Sequence, residues 1–311
     1  MYDKVTFRID TDSKKAKEVV SKLANVKATT EKNGFTRYMG NFKNFFVAIN
    51  GIEVYLRGSL NKYHFGDNLR NGTREDTMEA ILGLSKDLGL DLMKANVVGL
   101  ELGVNIETEN PVKEYLQNLK EMARRKRKVV GHSLYYLNAD KKRVDVLILY
   151  DKLKQISESG NPIPAEYQGK NVLRCEMRLK GRLSKTIQGL KIKGEDLCKA
   201  AFCSRVVNEM LVRYGSIAKK EQRYKSGMAQ NYTEQRLWEA EMIVGEINAA
   251  VHKGDVRNER LLRKRLKLLS KTKNTESQLT QELRSKLISW SYDFKSGGEA
   301  PNEAISAIEI S

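Results

Sequence analysis

Two stretches decide the fold: VGLELGVNI at residues 98–106 and LRCEMRLK at residues 173–180. In the first, the even positions Val98, Leu100, Leu102, Val104 and Ile106 are apolar, and the odd ones are Gly99, Glu101, Gly103 and Asn105. In the second, the odd positions Leu173, Cys175, Met177 and Leu179 are apolar, and the even ones are Arg174, Glu176, Arg178 and Lys180. Side chains on a strand alternate between faces, so each stretch reads as a strand with one core face and one polar, outward face. Glu101 between two glycines suggests a clearing where a ligand or another backbone approaches. If both strands lie in one sheet, Glu101 and Glu176 point from the same side. Cations on that face suit phosphates, and the acids suit a divalent ion. The pattern equally fits a half-exposed antiparallel sheet whose Glu between two Arg is a surface ion-pair ladder.

Working outward, residues 4–10 alternate as a strand and 12–24 read as a helix. Asn33-Gly34 and Asn50-Gly51 are type I′ hairpin signals. Residues 73–90 read as a helix capped by Thr73, 96–107 as a strand, and 111–127 as a helix with Pro111 at its start. Residues 133–138 with 142–150 form a further hairpin, 171–180 a strand, and a helix runs from about 194 toward 222. A linker is expected at 223–231. Helical periodicity follows over 232–252, 255–271 and 275–294, with Leu261, Leu262, Leu266, Leu268 and Leu269 as a packing face. No internal repeat is visible. The fold class is therefore α+β: a central, largely antiparallel sheet with flanking helices, then an all-α C-terminal region. The domains expected are 1–204, a helical 205–295, and a mobile tail at 296–311.

The chain has 311 residues, with 56 Lys and Arg against 39 Asp and Glu, a net charge of +17. A field of that sign attracts polyanions and makes binding salt-dependent. The charge is clustered. Residues 119–128 carry six basic groups and one acid, and 255–273 carry eight and two. Arg124, Arg125, Lys126 and Arg127 are candidate DNA contacts on the helix expected there. No apolar run reaches membrane-spanning length, and the N-terminus lacks the apolar stretch of a secretory signal. Cys175, Cys198 and Cys203 are too few for a disulfide framework and fit a reducing cytoplasm.

Only three histidines are present, at 64, 132 and 252, too far apart for a paired-His metal site. No Walker A, Rossmann or Gly-x-Ser-x-Gly signature occurs. Tyrosine remains as a nucleophile. Tyr150 ends the apolar run Val146-Leu147-Ile148-Leu149 and is followed by Asp151 and Lys152. A phenol of pKa near ~10 is a weak nucleophile at neutral pH, and a nearby ammonium favours its phenolate or stabilises charge on a phosphate. A half-buried ring that merely closes the strand is the other reading. Tyr135 and Tyr136 alternate across their strand, so only one of them can face a site there.

Five blocks then stand in order: LRGSLNKYHFGDN (56–68), VVGLELGVNIE (97–107), SLYY (133–136), VDVLILYDK (144–152) and VLRCEMRLKGRL (172–183). Together they resemble the replication initiators of the filamentous-phage gene II/X family, relatives of rolling-circle plasmid Rep proteins. The IPAEYQGKNVLR variant is similar to phage and plasmid proteins of Bacteroides-type bacteria. The resemblance implies an HUH-like Rep nuclease fold. It also implies a reaction in which tyrosine attacks one strand at an origin, keeps the 5′-phosphate and frees a 3′-OH. By position it makes Tyr150 the nucleophile and Lys152 its basic neighbour. It makes Glu101, Glu176 and Asp67 ligands of Mg²⁺ or Mn²⁺. Lys62, His64 and Asn68, and Arg174, Arg178 and Lys180 on the charged strand face, are candidate DNA contacts. There are departures: the family's Arg-Ile-Asp is Gly99-Leu100-Glu101 here, and the His of its Gly-His-Asn is Asp67, with His64 three residues earlier. The partners implied are origin DNA, as duplex and single strand, with host helicase, host polymerase and a dimer compatible. A DNA-binding initiator without chemistry is the competing function.

Overall fold

The computed structural model describes residues 2–30, 36–138, 144–181, 183, 187, 191–219, 246, 255–258, 260–262 and 278–292. Strand β1 (Tyr2–Asp10) leads into helix α1 (Ser13–Ser21), followed by β2 (Ala24–Thr30), β3 (Thr36–Phe42), β4 (Phe45–Asn50) and β5 (Glu53–Ser59). Helices α2 (Leu60–Phe65) and α3 (Arg74–Leu88) precede β6 (Asn96–Thr108) and α4 (Val112–Asn118). Then come β7 (Leu119–Met122), β8 (Arg125–Val130), β9 (Ser133–Asn138), β10 (Val144–Asp151), α5 (Lys152–Glu158) and β11 (Asn171–Lys180). Helix α6 (Ala200–Gly215), β12 (Ile217–Lys219) and α7 (Gln278–Tyr292) complete the described elements.

Ten strands form one sheet in the order β2-β3-β4-β5-β1-β6-β11-β10-β9-β8. Every pairing in it is antiparallel. The topology contains a repeat that the residues conceal. In each half a strand, a helix and a four-stranded meander follow, with β7 before the second meander and α5 within it, and the last meander strand returns beside the first strand. The halves meet at the β1–β6 pair, in the middle of the sheet. The α+β class and the antiparallel sheet are as read from the sequence.

Local signals explain most elements. Thr73 caps α3 in a reciprocal box with Asp76, whose Oδ2 accepts from the Thr73 backbone N–H at 2.6 Å. The β4–β5 turn sits one residue later than an Asn-Gly type I′ turn. Asn50 pairs with Glu53, leaving Gly51 and Ile52 in the loop with Gly51 at φ 60°. The helix expected over 111–127 is the main correction. It stops at Asn118, and the basic stretch becomes β7 and β8. Strand pairing of β7 with β12 and of β8 with β9 overrides the helical propensity of Lys and Arg there. The helix expected from 194 to 222 is a 3₁₀ turn at Gly194–Cys198 followed by α6, which ends at Gly215.

The chain divides into two compact units, residues 1–218 with 286–311, and residues 219–285. Helix α6 spans position 205, where the sequence changes character. In α7, Leu279, Leu283 and Leu287 recur every four residues and are buried. Leu262 is buried while its neighbour Leu261 is exposed. The linker 223–231, Leu266, Leu268, Leu269, the tail 296–311, the Asn33-Gly34 turn and most of the basic stretch 255–273 lie outside the described residues.

The even-numbered residues of β6 bury Leu100, Leu102, Val104 and Ile106 on one face of the sheet. The opposite face is not the open surface its polar residues suggest. The loop after α2 and helix α5 cover part of it. Leu69, Leu153 and Val172 form a small apolar cluster there. Asn105 Nδ2 donates to the Asn68 and Leu69 carbonyls at 3.0 and 2.6 Å. The glycine clearing around Glu101 is also filled from within the protein. A Cβ on Gly103 would lie 2.7 Å from the Arg174 guanidinium carbon, and one on Gly99 would lie 2.9 Å from the Thr6 hydroxyl. Gly103→Ala is therefore expected to destabilise by about 3 kcal/mol, through overpacking against a charged group that cannot retreat. Gly215→Ala, at a position with nothing within 4 Å, serves as control. Thermal melts check this; equal midpoints for the two variants would refute it.

Candidate active site

The site is built where β6, β11 and β10 run side by side. In register, Asn105 faces Arg174, which faces Tyr150. One step along the strands, Gly103 faces Glu176, which faces Ile148 and then Tyr135. A further step places Glu101 opposite Arg178. Directly opposed residues share a face, so register alone brings Tyr150, Arg174, Glu176, Arg178 and Glu101 together. They are not on an open surface: Arg174 is 1 % exposed, Glu176 2 % and Glu101 8 %.

Arg174 is the hub. Its Nη2 donates to Asp3 Oδ2 at 2.7 Å and its Nη1 to Asn105 Oδ1 at 2.9 Å and the Asn68 carbonyl at 3.2 Å. Its Nε donates to Glu176 Oε2 at 3.3 Å. The Tyr150 hydroxyl donates to that same Glu176 oxygen at 3.1 Å. Glu176 Oε1 takes the Arg178 Nε at 2.5 Å. Lys152, at the start of α5, is buried, and its ammonium donates to Gln155 Oε1 at 3.0 Å.

Burial shifts the titrations. It raises the Tyr150 phenol well above its ordinary value, and the Glu176 charge adds to this. It lowers the Lys152 ammonium to about 8, helped by the Arg174 charge. Burial alone would raise Asp3 and Glu176, yet the Arg174 guanidinium, aided by Ser59 for Asp3 and Arg178 for Glu176, holds both below the usual carboxylate range. Glu101 moves the other way. Burial raises it despite Lys4.

Tyr150, Lys152 and Glu176 line a cleft of about 690 Å³ together with Asp3, Lys4, Arg57, Ser59, Lys62, Asn68, Tyr135 and Arg178. Lys62 and Asn68 thus reach it as expected, and Tyr135 is the tyrosine of its pair that faces it. Tyr136 is buried on the other side. Asp67 does not join the carboxylates. Its Oδ1 accepts from the Leu69 backbone N–H at 2.8 Å, closing a turn. His64 is not among the residues lining the cleft. Its Nε2 lies 3.5 Å from Asp76 Oδ1 and 3.7 Å from Glu79 Oε2. Arg125 is tied to Asp145 at 2.8 Å, while Arg124, Lys126 and Lys180 are exposed. Arg127 donates to the Leu119 carbonyl at 3.3 Å.

Glu101 and Glu176 can hold a cation between them. Arg178 Nε lies 2.5 Å from Glu176 Oε1 and 3.6 Å from Glu101 Oε2, so one guanidinium pairs with both carboxylates. Glu101 Oε2 is buried without a hydrogen-bond partner. Arg178 is 37 % exposed along its side chain. The donor pair fits a hard divalent ion.

Residues 1–200 match the family model for the N-terminal region of the gene II replication-associated protein. The chain belongs to this family. It is a replication initiator of the phage gene II type, and the five blocks all fall inside the matched range. No curated protein matches the chain. Among the described residues no helix is long and apolar enough to cross a membrane.

Asp3 is the site residue that sequence reading missed. In YDKVTF it stands at an apolar-parity position, and the register shift between Tyr2 and Val5 turns it into the site. Asp3 and Glu176 have folded values below their unfolded ones. Their contribution is complete above about pH 4–5 and is lost as pH falls through the lowered values. Asp3→Asn in this gene II-type initiator is expected to cost about 3 kcal/mol at neutral pH and to flatten the loss of stability on acidification. Urea midpoints from pH 7 to pH 3 check it; curves parallel to wild type would count against the pairing.

Proposed function

We propose that this chain nicks one strand of origin DNA by tyrosine attack and so starts rolling-circle replication. The observation that carries the reading is the Tyr150 hydroxyl in a cation-lined cleft, donating to an ionised Glu176. Membership of the gene II-type family supports it. The phenolic proton is released to solvent as the Tyr150 oxygen engages phosphorus, with Glu176 Oε2 holding the hydroxyl in place. The Tyr150 oxygen bonds to phosphorus, and the bond from phosphorus to the 3′ oxygen breaks. The 5′-phosphate stays on Tyr150, and the departing oxygen takes a proton from solvent to become the 3′-OH primer end. Arg174 holds Glu176 ionised and aimed at the hydroxyl. Glu101 and Glu176 would hold Mg²⁺ or Mn²⁺, which would supply polarisation of the scissile phosphate. Lys152 stabilises negative charge on that phosphate as the phosphorus–oxygen bonds exchange. Lys62 and Asn68 hold the strand in the cleft.

A non-catalytic DNA-binding initiator is the competing function, and it requires no tyrosine–carboxylate pair. Incubating the protein with labelled single-stranded origin DNA and Mn²⁺ separates the two. Wild type is expected to form a covalent protein–DNA adduct, and Tyr150→Phe to lose it by at least about a thousandfold. EDTA is expected to suppress the wild-type adduct as well. An adduct that persists in Tyr150→Phe would place the nucleophile elsewhere, and one indifferent to EDTA would remove the metal.

Lys152 provides a pH test. An ammonium whose pKa is lowered to about 8 is charged below that pH and neutral above it. Adduct formation is therefore expected to fall along an alkaline limb centred near pH 8. Lys152→Arg, which keeps its charge throughout, is expected to move the limb upward. A limb that stays in place would assign the ionisation to another group.

A further inference from the structure

The cleft continues well beyond Tyr150, and at its far side stands a residue that the nicking chemistry does not use. Phe46 on β4 is 42 % exposed, and no other Phe or Tyr among the described side chains is as open to solvent. Exposure of an aromatic ring costs the hydrophobic stabilisation that burial would provide, and nothing in its own strand requires it. The residues on either side of it, Phe45 and Val47, are fully buried on the opposite face. The neighbours of Phe46 are polar or cationic. Arg57 lies directly opposite on β5 and Asn41 on β3. Lys4, Asn44 and Arg57 line the cleft with it. The side chains of Lys4 and Arg57 are themselves 43 % and 49 % exposed, although both approach Glu101 at 3.5 Å.

We propose that Phe46 is a stacking platform for one base of single-stranded DNA, with Lys4 and Arg57 on the adjoining phosphates. An aromatic face among cations on a sheet surface is the chemistry that binds single strands with little regard to sequence. This proposal rests on the reading of the cleft as a DNA site. It adds a contact remote from the scissile phosphate. From β4 to β10 the sheet order runs β4-β5-β1-β6-β11-β10, five strand spacings. At ~4.8 Å each this is about 24 Å across the sheet, and pairing register sets Phe46 in line with Val144, six residues along β10 from Tyr150. A strand with ~3.4 Å between phosphates covers the crossing alone in about seven nucleotides, and an extended strand in fewer. Phe46 therefore fixes how a segment several nucleotides from the nick enters the site. Such a contact aligns the scissile phosphate without touching it.

The experiment uses full-length protein carrying Tyr150→Phe, so that no covalent product forms, and an oligothymidylate of about 20 nucleotides as the probe. Adding Phe46→Ala is expected to weaken binding on the order of tenfold, and Phe46→Trp to restore it. The introduced indole is expected to be quenched by oligothymidylate beyond the change seen in the parent. An abasic strand of the same length and charge is expected to leave it unquenched. Equal affinity of parent and Phe46→Ala for oligothymidylate overturns the platform. So does equal quenching by the abasic strand. A parent that binds no single strand overturns the reading of the cleft itself, which is a distinct result. The substitutions sit on an exposed side chain, and matching thermal melts confirm that folding is unchanged.

Discussion

The buried guanidinium of Arg174 is the constraint on which the rest depends. A charge almost wholly removed from water is tolerable only if it is paired and its donors are satisfied. Four hydrogen bonds do this, to Asp3, Glu176, Asn105 and the Asn68 carbonyl. Those partners come from β1, β11, β6 and the loop after α2, so one side chain ties the centre of the sheet to the loop that roofs it. Gly103 is part of the same device, because the guanidinium occupies the space a side chain would fill. A buried ion network of this kind is weak support for stability. Its role here is geometric, since it leaves Glu176 ionised and aimed at the Tyr150 hydroxyl.

The charge balance around the cleft follows from the same hub. Asp3, Glu101 and Glu176 meet Lys4, Arg57, Lys152, Arg174 and Arg178. Cations outnumber acids, which suits a phosphodiester more than it suits free carboxylates. Within this excess the two glutamates differ. Glu176 is saturated by guanidinium groups and is held low, while Glu101 keeps one oxygen without a hydrogen bond and is raised by burial. Two carboxylates of one sheet, separated by a half-buried Arg178, thus have different tasks available to them. One holds the Tyr150 hydroxyl, and the other keeps an oxygen that no hydrogen bond uses.

The strands were legible because alternation is a local signal. VGLELGVNI and LRCEMRLK are both strands, they are neighbours, and their acids do lie on one face. The same periodicity misjudged what covers that face. A roof made by Leu69, Leu153 and the carbonyls of Asn68 and Leu69 comes from segments distant in the chain, and no pattern within a strand reports it. The basic stretch at 119–128 failed for a related reason. Lys and Arg favour helices in isolation, but pairing with β9 and β12 decides their conformation. The twofold topology was equally hidden, because it is carried by strand order and not by residue identity.

Local periodicity, turn chemistry and the ordered blocks determined the α+β class, the strands that carry Glu101, Glu176 and Tyr150, and the basic character that draws the chain to DNA. These properties depend on residues close in sequence or on summed charge. Tertiary structure decided the rest. It brought Asp3 to Arg174 across 171 positions through a strand irregularity, tied Asp67 into its own loop, set His64 beside Asp76 and Glu79, and extended the cleft to Phe46 on the other half of the sheet. Each of these is a contact between segments distant in sequence, fixed by register and roof packing, and the energy that selects it exists only once the sheet has closed around Arg174.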